Sequence, residues 1–210
     1  MNTINETEPG VRATQKAATR EAVLEAARNE FEAVGFEAAN VRNIAKRADV
    51  SAGTVLHHFG EKKELLYAAL FDDLEATLDR ALARSSGTLE KQASSLGAAV
   101  FAYYQKRPAL SRTLLKESLF AEGPWAGKFV AQTQRVHVAL TEAVKRSVAE
   151  GALAPGTSTE AVAAAWLSFF YFALIGWVQG AHGTPLALVE HLFSQHLAGL
   201  RPPPSKRSRR

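Results

Sequence analysis

Side chains able to do covalent or acid–base chemistry are few in this 210-residue chain, and their spacing does not suit it. Cysteine is absent, which excludes disulfides and thiolate metal sites. The six histidines are scattered, and His191 and His196 stand five residues apart, one more than a two-histidine zinc site on one helix face wants. Neither a nucleophile–base constellation nor a glycine-rich phosphate loop occurs. We therefore assign no catalytic residue, no metal and no cofactor, and expect no enzyme. What the sequence does concentrate is positive charge. Between Ala39 and Lys63 stand Arg42, Lys46, Arg47, Lys62 and Lys63, against Asp49 and Glu61. Such a patch suits a polyanion. The overall net charge of +4 says less, because residues 201–210 hold five basic residues and no acid. Upstream, Glu21, Glu25, Glu30 and Glu32 are expected to face away from phosphate.

The elements that must position this charge are legible. Val41, Ile44, Ala45 and Ala48 form one apolar stripe of helical period, with Asn40 placed as N-cap. Asp49 falls in the following turn, where a left-handed residue is often needed and Asp tolerates it. Ser51 then caps a second short helix with Val55 and Phe59 on its inner face. Two such helices across a tight turn match the helix-turn-helix unit, whose second helix normally enters the DNA major groove. The outer face of that helix offers Ser51, Ala52, Gly53, Thr54 and His57. It lacks Arg, Lys, Asn and Gln, the residues of bidentate base readout.

Phe31, Gly35 and Phe36, then VRNIAKRADVS, then GTVLHHFGEKKELL, resemble the DNA-binding domain of the tetracycline-repressor (TetR) family across roughly Thr14 to Leu66. The resemblance implies a bacterial homodimeric transcription regulator with a three-helix DNA-binding head and a helical ligand-binding body. It places Lys62 on a phosphate, Arg42 within reach of a base or phosphate, and His58 in support of the core. Leu56 stands where most relatives have tyrosine, and Ala52 where a polar residue is common. Specificity is therefore expected to lean on Thr54, His57, Arg42 and DNA shape. Arg12, Lys16 and Arg20 are candidates for additional groove or phosphate contacts.

Residues 1–13 read as a disordered arm, 14–60 as the helix-turn-helix domain, 61–200 as the ligand-binding and dimerisation domain, and 201–210 as a basic tail. No strand alternation occurs, so the fold class is all-α with about nine helices. Gly123, Pro124 and Trp125 read as a loop at the mouth of a ligand site. Ala161–Val178 is eighteen residues without charge, at the threshold length for a membrane span. Flanking basic residues are missing, and the resemblance makes this helix the first of two that build a dimeric bundle. No membrane partner is expected. Trp177, Leu186, Val189, Phe193 and Leu197 are assigned to the twofold interface.

For the ligand site, aromatic richness and the resemblance together select Phe101, Tyr104, Phe120, Trp125, Phe129, Trp166 and Phe170, with Thr133, Gln134 and His137 for polarity. Plain core packing is the competing role for each aromatic. The expected protein is cytoplasmic. It binds a near-palindromic double-stranded operator as a homodimer, and a hydrophobic small-molecule effector releases it. The alternative is a constitutive DNA-binding or nucleoid-organising protein without an effector.

Overall fold

The computed structural model describes residues 10–84, 86–181 and 183–203; most of the expected N-terminal arm and of the basic tail lies outside them. Among the described residues are nine α-helices and no strand. The head is α1 (Val11–Ala38), α2 (Val41–Arg47) and α3 (Ala52–Phe59). The body is α4 (Lys62–Ala83), α5 (Leu89–Lys106), α6 (Pro108–Leu119), α7 (Gly123–Ala149), α8 (Thr159–Val178) and α9 (Pro185–Ala198).

Local chemistry accounts for most boundaries. Asn40 Oδ1 accepts from the Arg42 N–H at 2.8 Å and Ser51 Oγ from the Thr54 N–H at 3.0 Å, so both short helices begin on a side-chain cap. Asp49 takes φ 54°, the expected left-handed turn residue. Gly35, at φ 76° and ψ 164°, sits in backbone space open essentially to glycine alone. There α1 kinks, and Phe36 swings back to 5.8 Å from Phe31. The head closes over fully buried Val23, Leu24, Phe31, Ile44 and Val55, joined by Leu65 and Leu66 of α4.

Two expected boundaries move. Helix α1 begins at Val11, so Val11–Ala13 belong to it and not to a disordered arm. The Gly123-Pro124-Trp125 segment is the first turn of α7, not a loop. Proline is pre-organised for a first helical turn, where its missing N–H costs nothing.

In the body, α8 packs chiefly on α7 and α9, while α4 lies against α5 and α1. Helices α5, α8 and α9 approach closely at Gly97, where a Cβ would stand 3.0 Å from Leu186 Cδ1 and 3.5 Å from Trp166 Cζ2. Three of the expected dimer contacts are thereby occupied within the subunit. Val189, Phe193 and Leu197 are buried inside their own subunit, and half-buried Leu186 faces Gly97. Their stripe is the inner face of α9. On α8, by contrast, Phe172 is 59% exposed and Ile175 37% exposed. Trp177 is half-buried against the core.

Candidate nucleic-acid interface and internal cavity

Helix α3 is held by its inner residues, Val55 buried and Phe59 half-buried. Ser51, Gly53, Leu56 and His57 are exposed, with Ala52 and Thr54 half-buried beside them. The Thr54 hydroxyl lies 2.9 Å from Ser51 Oγ, so it is engaged in the cap and its methyl group is the part left for a base. Leu56, 46% exposed, is an apolar outward residue that sequence reasoning treated only as a missing tyrosine. Its side chain suits a thymine methyl. His58 is half-buried, and its pKa is lowered by burial first and then by His57, Lys16 and Arg20, so it favours the neutral form. That fits a supporting role.

The basic residues divide into two groups. Arg42, Lys46, Lys16 and Arg12 are exposed. Arg47 is tied by its Nε, 3.1 Å from the buried Glu30 carboxylate, which also accepts from Asn43 at 3.0 Å. Arg20 pairs with Asp72 at 2.5 Å and lies over the Phe59 ring. Lys62 departs most from the sequence reading. Its ammonium donates to the carbonyls of Phe36 at 2.8 Å, Glu37 at 3.1 Å and Ala39 at 3.2 Å, and sits 4.6 Å from the Phe36 ring centre. A lysine has three N–H donors, and here all three close the kinked end of α1. In the free protein the ammonium that the resemblance places on a phosphate is thus engaged as a clamp within the head.

The body holds a half-open cavity of about 410 Å³ walled by α4 to α8, within the ~300–1,000 Å³ typical of small-molecule sites. Tyr104, Phe129, Thr133, His137, Trp166 and Phe170 line it, as does Gln134. Three expected residues do not. Phe101 lies one layer behind, its ring 4.5 Å from that of Phe170. Phe120 is 81% exposed at the end of α6. Trp125 turns toward α4, donating to Glu64 at 2.5 Å with its ring 5.5 Å from Tyr67. The sequence reading missed Leu74 and Leu78 of α4, Val100 of α5, Leu114 of α6 and Tyr171 of α8. Aromatic size is a poor cue here, because a cavity wall consists of whichever side chains point inward. Among the described residues no Lys, Arg, Asp or Glu lines the cavity.

Head and cavity are mechanically joined. Glu32 of α1 accepts from the Leu110 N–H at 2.8 Å and the Ala109 N–H at 3.3 Å, capping α6 from outside. Beside it, Arg107 bridges Glu25 at 2.7 Å and Asp73 at 3.6 Å. Buried Arg28 donates to Glu25, Glu21 and the Ala69 carbonyl of α4. Burial alone would raise the Glu25 pKa, but Arg28 and Arg107 outweigh it and hold this carboxyl below its usual value. Glu25 and Glu32 of α1 thus serve as joints to the body, while Glu30 ties α2 to α1 within the head.

A family model described as bacterial regulatory proteins, tetR family, matches residues 23–69. The HTH-type transcriptional repressor KstR of Mycolicibacterium smegmatis is 33% identical over 97 residues, 45% of this chain and 47% of that protein, so the match spans about half its length. The HTH-type transcriptional regulator UidR of Escherichia coli K12 is 28% identical over 172 residues, covering 77% of this chain and 82% of the relative. Among solved structures, Thermus thermophilus FadR, a transcriptional repressor in complex with lauroyl-CoA, superposes with a TM-score of 0.65 at 19% identity. That superposition covers 89% of this chain and 98% of the other.

Proposed function

The chain belongs to the tetR family of bacterial regulatory proteins, and from that premise we propose that it is a homodimeric operator-binding repressor which a hydrophobic small molecule releases from DNA. The observation that carries this reading is the double engagement of α6. One end of the helix is capped by Glu32 of the DNA-binding head, and its middle lines the cavity through Leu114. An occupant that favours a displaced α6 acts on α1 through that cap, and so on the setting of α3. It can do so only by binding the displaced state more tightly. The names of the relatives support the reading: KstR is a repressor, and the FadR structure holds an acyl-CoA.

Sequence would be read by Leu56, His57 and the Thr54 methyl from α3, with Arg42 of α2 beside them and Lys46 and Lys16 near phosphates. Lys62 has no part in this list. A dimer sets two such heads about 34–36 Å apart, or a fixed multiple, on a near-palindromic operator. The dimer face is assigned to the exposed side of α8, carrying Ala164, Ser168, Phe172 and Ile175, together with half-buried Leu188 and Leu192 of α9. Within the subunit only 39% of α8's apolar window is buried, and a second copy is the partner this face fits. The protein acts in the cytoplasm, where its operator lies.

The test is footprinting on the DNA adjoining this protein's own gene, with and without candidate apolar compounds. A protected palindrome that at least one compound clears supports the reading. Protection of many unrelated sequences, indifferent to every compound, favours instead the constitutive nucleoid-organising role. The cavity weighs against that role, because a purely architectural body has no need of one.

A further inference from the structure

Resting on the cavity as the effector site, we propose that its occupant is uncharged: a largely apolar molecule presenting one oxygen acceptor, a carbonyl or a hydroxyl, to the Tyr104 hydroxyl. Tyr104 is 6% exposed and lines the cavity. Its backbone carbonyl accepts from Ser111 Oγ at 2.7 Å, yet its hydroxyl has no hydrogen-bond partner among the described residues. A donor that opens onto a cavity without a protein partner is available to whatever occupies it. Burial, reinforced by the neighbouring phenols of Tyr171 and Tyr103, pushes the Tyr104 pKa well above its usual value, so the group stays a donor across the physiological range.

The rest of the wall has the same neutral character. The Tyr171 hydroxyl lies 3.2 Å from Thr133 Oγ1, which also reaches the Phe129 carbonyl at 3.3 Å. His137 Nε2 is 3.3 Å from the Glu160 carbonyl, which favours a proton on that nitrogen. The hydroxyls can orient a polar atom but cannot neutralise an ion, and His137 is the one residue in the lining able to take up a proton. A carboxylate or phosphate drawn into this cavity would lie among phenols and leucines without a lysine or arginine among the lining residues. Burying a charge in that way is strongly unfavourable. The distinction matters because the FadR relative holds an acyl-CoA, a ligand with an anionic head.

The experiment uses the full chain and four ten-carbon probes that differ only in head group: 1-decanol, 2-decanone, decanoate and decyl phosphate, titrated calorimetrically near neutral pH. The neutral pair should bind, with the two anions about tenfold or more weaker. Tyr104→Phe should weaken 2-decanone about tenfold. It should leave the melting temperature of the empty protein unchanged or higher, because it removes a hydroxyl that has no internal partner. Anions binding as well as the neutral probes would overturn the assignment. So would 2-decanone binding that ignores Tyr104→Phe, or a failure of both neutral probes to bind. Binding with the expected preference but no effect on operator occupancy would uphold this assignment and refute the effector role.

Discussion

Replacing Lys62 with methionine separates two incompatible roles for one side chain. As a phosphate contact, Lys62 would matter only when DNA is present. As a clamp, it matters to the free protein. Of its three carbonyl partners, those of Phe36 and Ala39 are partly buried and that of Glu37 is exposed. The exposed carbonyl is rehydrated when the ammonium leaves and adds little. The other two lose charge-assisted bonds at about 1 kcal/mol each after partial rehydration. Loss of the contact with the Phe36 ring adds about 0.5–1 kcal/mol. The sum is about 2–3 kcal/mol, partly offset by methionine covering the same apolar surface. At ~2–4 °C per kcal/mol for a chain of this size, the melting temperature should fall by roughly 4–12 °C. Operator binding measured across a salt series, at a temperature where the variant remains folded, should keep its slope. A phosphate contact would instead lower that slope by about one unit. An unchanged melting temperature together with a reduced salt slope would refute the clamp.

Further expectations concern the joints and the dimer. Glu32→Ala removes the external cap of α6 and should weaken effector-induced release several-fold while leaving operator affinity in the absence of effector within about threefold, a cap being worth ~0.5–2 kcal/mol; mobility shifts with and without effector measure both. Phe172→Glu should yield monomers by light scattering and abolish operator binding, whereas Leu197→Ala should cost about 2–5 kcal/mol of folding stability and leave association intact; the reverse pattern would return the dimer face to the inner stripe of α9. Glu25 titrates below its ordinary value of 4.5 in the folded protein, so its contribution is complete above about that pH and is lost as pH falls through the folded value. Glu25→Gln should therefore be less stable than the parent at pH 7, with the gap closing in acid melts below pH 4.5.

What the sequence revealed depended on the range of the physics involved. Asn40, Asp49 and Ser51 were legible because each acts on backbone within a few residues of itself. The inner stripe of α9 was legible as a stripe, yet its partner was not. Helical period shows that a face is buried without showing whether its own subunit or a second copy covers it. For α8, apolar on nearly every side, period carries no direction at all. Lys62 is ambiguous for a related reason. A cation near a helix start can meet an external anion or the carbonyls that end a neighbouring helix, and the choice depends on the Gly35 kink, 27 positions earlier in the sequence. Glu32 was invisible as a cap because its partners, Ala109 and Leu110, belong to a helix in another part of the chain. Phe120 and Trp125 misled because aromatic size predicts burial or anchoring more readily than it predicts facing a void.

The strength of the head-to-body joint bounds the regulation it can transmit. Coupling between two sites usually amounts to about 1–3 kcal/mol, a factor of 5–150 in affinity. One bidentate cap at α6, supported by the Glu25–Arg107–Asp73 bridge, falls within that range. A much weaker joint would let α6 move while α1 stayed still, and a full effector site would go unreported at the DNA. A much stronger one would make α6 part of the head, so that ordinary binding energy could not displace it. Arg107 sits at the balance point: its side chain is only 14% exposed, yet it joins two carboxylates that remain partly in water. On the proposed reading, that arrangement holds α1 to the body firmly enough to transmit a shift and loosely enough for a neutral ligand, bound mainly by apolar contact, to cause one.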